Sequence, residues 1–179
     1  QMLVKIRAIR NTIVDPPNVY LLHGDLEQIE LNSLYNHPKV KAHVSFTKGE
    51  GFGRPLLESS LSGKPVISTN WSGHIDFLSP HSILLPGEIK QVHPSAVIDG
   101  IIMPEAGWFY INYNYASKIL KDIFKHYKKY LPAAMKQLGH SKKNFSLDKM
   151  NSDFKSLITT HIQKQPEAVQ LKLPKLEKV

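Results

Sequence analysis

Alternation of apolar and polar residues predicts a series of short strands and helices along the first half of the chain. Residues 41–46 alternate in polarity as a half-buried strand does, and a glycine-rich turn and a helical segment follow them. Gly63 ends that helix, and an apolar run from Pro65 predicts the next strand. The predicted elements are strands over 3–7, 19–23, 41–46, 65–69 and 82–85, and helices over 27–36, 55–62 and 73–78. Such alternation indicates an α/β fold with a parallel sheet and flanking helices.

Helical periodicity dominates the second half of the chain. Residues 86–107 contain several Pro and Gly and predict an irregular loop with short extended pieces. A helix is predicted over 115–130, Pro132 begins or permits the next one, and Ser146–Ile162 forms another. The apolar face of helix 115–130 is expected to consist of Ile119, Leu120, Ile123, Phe124 and Tyr127. The Lys, Pro and Gln content of residues 163–179 predicts a weakly structured tail after a domain over 1–162.

The most informative motif is a glycine-rich turn bracketed by two glutamates. It reads K-G-E-G-F-G-R-P-L-L-E from Lys48 to Glu58, and Pro55 stands where the first helical turn is expected. Glycine leaves the backbone of residues 51–53 open to a ligand, and N–H groups at a helix N-terminus attract anions. The motif therefore predicts a phosphate-binding turn. The ring of Phe52 is expected to pack and shape that turn.

The same block resembles the donor-binding domain of retaining, GT-B-fold glycosyltransferases of group 1. That family carries E-G-F-G-x-P-x-x-E, a helix of small residues, G-x-P-V-I and a short S-G turn. The matching residues here are Glu50–Glu58, Gly63–Ile67 and Ser72-Gly73. The likeness is good over 19–85 and looser over 108–162. It implies a Rossmann-like parallel sheet with flanking helices, one half of a GT-B architecture, that binds a nucleoside-diphosphate sugar.

The resemblance also implies a role for each residue of the motif. Glu50 meets hydroxyls of the transferred sugar as the catalytic residue, and the turn after it holds the diphosphate. Glu58 takes the ribose, which suits a carboxylate because a vicinal diol needs an acceptor. No cofactor and no metal are implied, because this family neutralises the diphosphate with protein donors and cations. The expected donor-binding residues are Gly51, Phe52, Gly53, Glu58, Ser72 and Gly73.

Simpler interpretations exist for most of these residues. The helix dipole favours Glu58 whether or not it binds a ligand, and Glu50 could be a solvated loop charge. Arg54 stands where the family has an apolar residue; it adds charge near the phosphates or, as we prefer, points to solvent, and Lys48 has the same two interpretations. The Ser72-Gly73 turn, which the family places near the donor together with His74 and Asp76, could equally cap a short helix.

The composition argues against a disulfide-rich protein and against a membrane-spanning helix. The chain has 179 residues, no cysteine and a net charge of +8, and it has no apolar run of the roughly 20 residues that a membrane helix needs. Nothing argues for an oxidising compartment, so a cytoplasmic location is expected. Ten Lys and three acids lie between Lys118 and Lys155. A solvated amphipathic face explains them best; an anionic membrane surface or an acidic acceptor are alternatives, and nucleic acid is the least supported partner.

The leading prediction is a retaining glycosyltransferase of which this chain is the donor-binding part. Because the chain begins at Gln1, we expect a fragment whose donor domain is N-terminally incomplete and whose N-terminal acceptor domain is missing. Such a fragment is expected to be inactive alone and to self-associate through exposed sheet surface. The alternatives are an inactive nucleotide-sugar-binding module and a basic interaction domain. The sugar, the base and the acceptor are not specified by the motif.

Overall fold

The computed structural model describes residues 2–78 and 80–162, which belong to two compact units divided between Val40 and Lys41. The first unit contains helices α1 (Met2–Arg10) and α2 (Gln28–Asn36), joined by turns and irregular backbone. Helix α2 begins one residue after the predicted start at Glu27, which is its N-cap, and ends at Asn36 as predicted. Its first turn is closed by the Glu27 N–H, which donates to Glu30 Oε2 at 2.9 Å.

The two strands predicted in the first unit are wrong. Residues 3–7 lie inside α1, and residues 19–23 have no regular structure. A short apolar alternation cannot by itself distinguish a strand from a helix, and Met, Leu, Lys, Arg and Ala all favour the helix. A strand also needs a neighbour to satisfy its backbone groups, and the described residues of this unit contain none.

The second unit contains the predicted parallel sheet. Its strands β1 (His43–Val44), β2 (Val66–Thr69) and β3 (Ile83–Leu85) are neighbours in that order. Helix α3 (Arg54–Ser60) connects β1 to β2, and helix α4 (Ile75–Leu78) connects β2 to β3. This arrangement confirms the α/β class and is compatible with a Rossmann-like fold. Strand β1 is shorter than the predicted 41–46.

Both faces of this sheet are covered. Val66 and Ile67 are adjacent in β2, so their side chains leave opposite faces, and each is buried in a different cluster. Leu56, Phe77 and Leu78 from α3 and α4 pack with Val66. On the other face, Ile67 packs with Leu85, Phe109, Ile111, Ala116 and Ile123. Burial on both faces is what a parallel sheet with helical crossovers requires.

The segment expected to be irregular over 86–107 contains one strand of a β-hairpin, and most of the rest of it is irregular as predicted. Strand β4 (Gly87–Gln91) pairs antiparallel with β5 (Gly107–Ile111), and a short 3₁₀ turn, Pro94–Ala96, lies between them. All five residues of β4 are exposed, so its polar sequence carries no burial pattern. The strand forms because β5 supplies its hydrogen-bond partners, which only the tertiary structure reveals.

The expected helix over 115–130 is two helices. Helix α5 (Tyr113–Lys125) ends at His126, and α6 (Tyr127–Asn144) begins directly after it. Pro132 lies inside α6 rather than at its start. Helix α7 (Leu147–His161) is confirmed, and Ser146 Oγ caps it by accepting from the Lys149 N–H at 3.2 Å. The predicted tail, 163–179, lies outside the described residues.

Candidate functional site

The glycine-rich turn lies between β1 and α3, after the carboxyl end of its strand. Helix α3 begins at Arg54, one residue before the expected Pro55. Gly53 precedes it with φ +84°, and a Cβ built there would lie 2.9 Å from the His74 Cβ. Both the backbone conformation and the lack of space therefore require glycine at this position.

Ser72 binds the turn from a second loop. Its Oγ donates to the Glu50 carbonyl at 2.6 Å and accepts from the Glu50 N–H at 2.5 Å. Ser72 itself has φ +78°, a left-handed conformation that costs roughly 1–2 kcal/mol for a residue with a Cβ. We call this pair of hydrogen bonds the Ser72 clip. It offsets the backbone strain and holds Glu50 in one position.

Gly73 brings the two loops into backbone contact. Its N–H donates to the Glu50 carbonyl at 3.0 Å, and a Cβ at Gly73 would lie 2.1 Å from the Gly51 oxygen. No side chain fits in that space without displacing the turn. Gly51, in contrast, is exposed, and a Cβ built on it would meet no atom within 4 Å. The turn is thus fixed by its contact with the Gly73 loop, while the Gly51 backbone remains accessible from solvent.

The hairpin supports the segment that leads into the turn. The Phe109 N–H donates to the Lys48 carbonyl at 3.2 Å, and Lys48 Nζ lies 3.5 Å from the centroid of the Tyr110 ring. Burial lowers the pKa of the Lys48 amine from its ordinary value. Trp71 stacks on Phe109 with ring centroids 6.2 Å apart. Lys48 therefore makes a cation–π contact, which neither of its sequence-based interpretations included.

His74 is fully buried under the turn. Its Nε2 lies 2.7 Å from the Thr69 carbonyl, and because a carbonyl only accepts, Nε2 carries the proton. Ser68 Oγ lies 3.2 Å from the same nitrogen. The imidazole thus joins the end of β2 to the loop that carries the Ser72 clip. Its position is that of a supporting residue beneath the turn.

Glu58 is on α3 and forms an ion pair with Arg54. Arg54 Nε lies 3.2 Å from Glu58 Oε1, with the arginine side chain 70% exposed and the glutamate 29%. The solvent-facing interpretation of Arg54 was incomplete, because the exposed guanidinium has this partner. An exposed pair of this kind stabilises by only about 0–1 kcal/mol, so a ligand can replace it.

The Phe52 ring is half exposed and packs 5.2 Å, centroid to centroid, from Phe77. It lines an apolar groove of about 620 Å³ beside helix α7. The groove is lined chiefly by Phe52, Leu57, Phe145, Leu147, Met150, Phe154 and Leu157. Phe52 thus contacts the core through one part of its ring and borders a surface groove with the rest.

The structure brings five of the predicted site residues into one assembly: Glu50, Gly51, Gly53, Ser72 and Gly73. Glu58 lies on the helix that follows them. The sequence prediction missed the supports, namely Trp71, Phe109, Tyr110 and Thr69. Only the neighbouring position of Trp71 to Ser72-Gly73 could have suggested one of them.

Neither the models of known protein families nor the curated proteins gave a match to this chain. Among residues 2–78 and 80–162, no three His, Asp or Glu side chains converge as metal ligands would. Over the same residues, no helix combines the length and apolar character needed to cross a membrane. The functional assignment therefore depends on the motif and on the geometry around it.

Proposed function

We propose that the second unit binds the nucleotide-sugar donor of a retaining glycosyltransferase. The observation that carries this proposal is the turn over Glu50–Gly53, which is fixed by the Ser72 clip and by the Gly73 contact while the Gly51 backbone stays open. A rigid turn with exposed backbone donors is what a diphosphate requires, because its binding then needs no reorganisation of the loop.

Each part of the donor has a partner in this proposal. The diphosphate lies against the N–H groups of the turn, and Glu58 exchanges Arg54 for the ribose diol. The released guanidinium is then next to the phosphates. Glu50, held through its backbone by Ser72, presents its carboxylate to the hydroxyls of the sugar. The placement agrees with the general rule that ligands bind open α/β sheets beyond the carboxyl ends of the strands.

The proposed reaction breaks the bond between the anomeric carbon and the diphosphate and forms one to an acceptor hydroxyl, with the anomeric configuration kept. Catalysis is then mainly positioning of the two reactants and stabilisation of the departing diphosphate. In this proposal the acceptor is held by an N-terminal half of the GT-B architecture. The second unit is expected to supply the donor site of that reaction.

Gly51→Ala tests the proposal directly. Because a Cβ at Gly51 meets nothing within 4 Å, the protein should fold normally, but the methyl group would stand where a phosphate approaches the backbone. Calorimetry with nucleoside diphosphates and sugar nucleotides should show at least about tenfold weaker binding, equal to 1.4 kcal/mol. The melting temperature without ligand should be unchanged.

Gly139→Ala is the matched control, since it adds the same methyl group inside α6, also with no atom within 4 Å. It should bind donors like the unsubstituted protein. The proposal fails if no nucleoside diphosphate or sugar nucleotide raises the melting temperature of the folded protein. It also fails if Gly51→Ala and Gly139→Ala bind a donor equally well.

A further inference from the structure

Phe124 is an apolar side chain left on the outside of the protein. It lies in the last turn of α5 and is 89% exposed, although Ala116 and Ile123 of the same helix are buried. The sequence had placed Phe124 on the buried face. At 100° per residue it falls just beyond that face, beside Lys121 and Lys125. The combination of an exposed aromatic ring with neighbouring cations is the composition found at membrane interfaces.

The surroundings of Phe124 are strongly basic. Lys121, Lys125 and Lys128 are exposed, and within the described part of the chain none of them forms a salt bridge. A depression of about 460 Å³ opens between the two helices, lined by Phe124, Lys125, His126, Tyr127, Lys128 and Lys129. We call this surface the α5–α6 corner. From 113 to 144 the sequence contains eight Lys and one acid.

The carboxylate of that single acid, Asp122, already has hydrogen-bond partners within the protein. Its Oδ1 lies 2.8 Å from His126 Nδ1, and its Oδ2 accepts from Tyr130 Oη and lies 3.4 Å from Lys129 Nζ. These bonds hold the pKa of Asp122 down at about 2. They join the end of α5 to the start of α6 and so fix the corner. The carboxylate therefore partly offsets the charge of Lys129 and leaves the other three lysines uncompensated.

We propose that the α5–α6 corner docks on an anionic lipid surface. The Phe124 ring enters the interfacial layer, and Lys121, Lys125 and Lys128 contact lipid phosphates around it. An apolar ring flanked by cations is the composition of interfacial membrane contacts, in which burial of the ring and attraction to anionic headgroups add together. This inference is independent of the donor site, which lies on other elements.

Vesicle sedimentation of the full chain tests the proposal. Vesicles of two parts phosphatidylcholine and one part phosphatidylserine should bind the protein, and pure phosphatidylcholine should not. Lys125→Ala and Lys128→Ala should each weaken binding roughly fivefold, and Phe124→Ala roughly tenfold. Added salt should weaken binding of the unsubstituted protein but should leave the effect of Phe124→Ala in place.

The controls are Lys136→Ala, an exposed lysine further along α6, and Phe154→Ala, an exposed ring on α7. Both should bind vesicles like the unsubstituted protein. A Phe124→Trp variant should gain a blue-shifted fluorescence component on anionic vesicles, which reports entry of the ring into the interface. Unchanged melting temperatures should show that these variants fold.

Three results would overturn the proposal. Equal losses for Lys125→Ala and Lys136→Ala would mean that the charge acts without a defined surface. If Phe124→Ala bound vesicles as tightly as the unsubstituted protein, the Phe124 ring would not enter the bilayer. Tighter binding to single-stranded DNA or poly-glutamate than to the anionic vesicles would make a soluble polyanion the partner instead.

Discussion

Gly73→Ala should damage the candidate site more than it damages the fold. The added Cβ would lie 2.1 Å from the Gly51 oxygen, 2.9 Å from the Gly51 carbonyl carbon and 3.2 Å from the Glu50 oxygen. Carbon and oxygen atoms in proteins rarely approach closer than about 3.3 Å. Gly51 and Gly73 must therefore separate by about 1.2 Å, the difference between that contact distance and the 2.1 Å spacing.

This separation has two consequences of different size. The turn is at the surface and can move, so we expect an overpacking cost near the lower end of the usual range of about 1–3 kcal/mol. Donor binding should suffer more, because a displacement of about 1 Å in a positioned group can cost about a hundredfold. The shift also stretches the hydrogen bonds of the Ser72 clip.

Thermal denaturation and calorimetry with a nucleoside diphosphate separate the two effects. The melting temperature of Gly73→Ala should fall by a few degrees, as expected for about 1 kcal/mol, while the dissociation constant rises by roughly two orders of magnitude. Gly139→Ala should raise the melting temperature slightly, because alanine is favoured over glycine inside a helix by about 0.5–1 kcal/mol.

Unchanged donor affinity in Gly73→Ala would refute this reasoning. It would mean that the Gly51 backbone does not contact the donor or that the two loops move apart without consequence. A large loss of stability with normal affinity in the remaining folded protein would assign Gly73 to the fold alone.

Three further predictions concern single carboxylates. Glu58→Ala should weaken nucleoside-diphosphate binding by about 1.5–3 kcal/mol, as for a hydrogen bond to a charged group; Arg54→Ala, which removes an exposed charge near the phosphates but keeps the carboxylate for the ribose, should weaken it less in calorimetry. Glu50→Ala should weaken binding of the whole sugar nucleotide and spare the free nucleoside diphosphate, and equal losses for both ligands would contradict the proposed roles. The folded-state pKa of Asp122, about 2, lies below its ordinary value of 3.8, so its stabilisation is complete above the ordinary value and is lost as the pH falls towards 2. Melting curves of Asp122→Asn and the unsubstituted protein should therefore differ near neutral pH and converge at the acidic end, and a constant difference across this range would mean that the carboxylate charge is not the cause.

Elements with strong local signals could be predicted from the sequence. Helix α3 has Pro at its start and Gly after its end, and strand β2 starts with β-branched Val66 and Ile67 directly after that turn, so each element lies within a residue or two of its predicted bounds. Elements that depend on a distant partner could not be predicted. Strand β4 exists through its pairing with β5, and the break between α5 and α6 accompanies the bonds that Asp122 makes across it.

The candidate site divides in the same way. The sequence was enough to place Glu50, the glycines and Glu58 in one turn and the helix after it, because these residues are close together along the chain. The tertiary structure alone decided that Gly73 touches Gly51 and that Lys48 lies on Tyr110. Those partners are far apart in the chain. Gly51 and Gly73 meet because parallel pairing of β1 and β2 brings the loops after both strands to the same edge of the sheet. Lys48 meets Tyr110 because strand β5 lies beside it, with the Phe109 N–H donating to the Lys48 carbonyl.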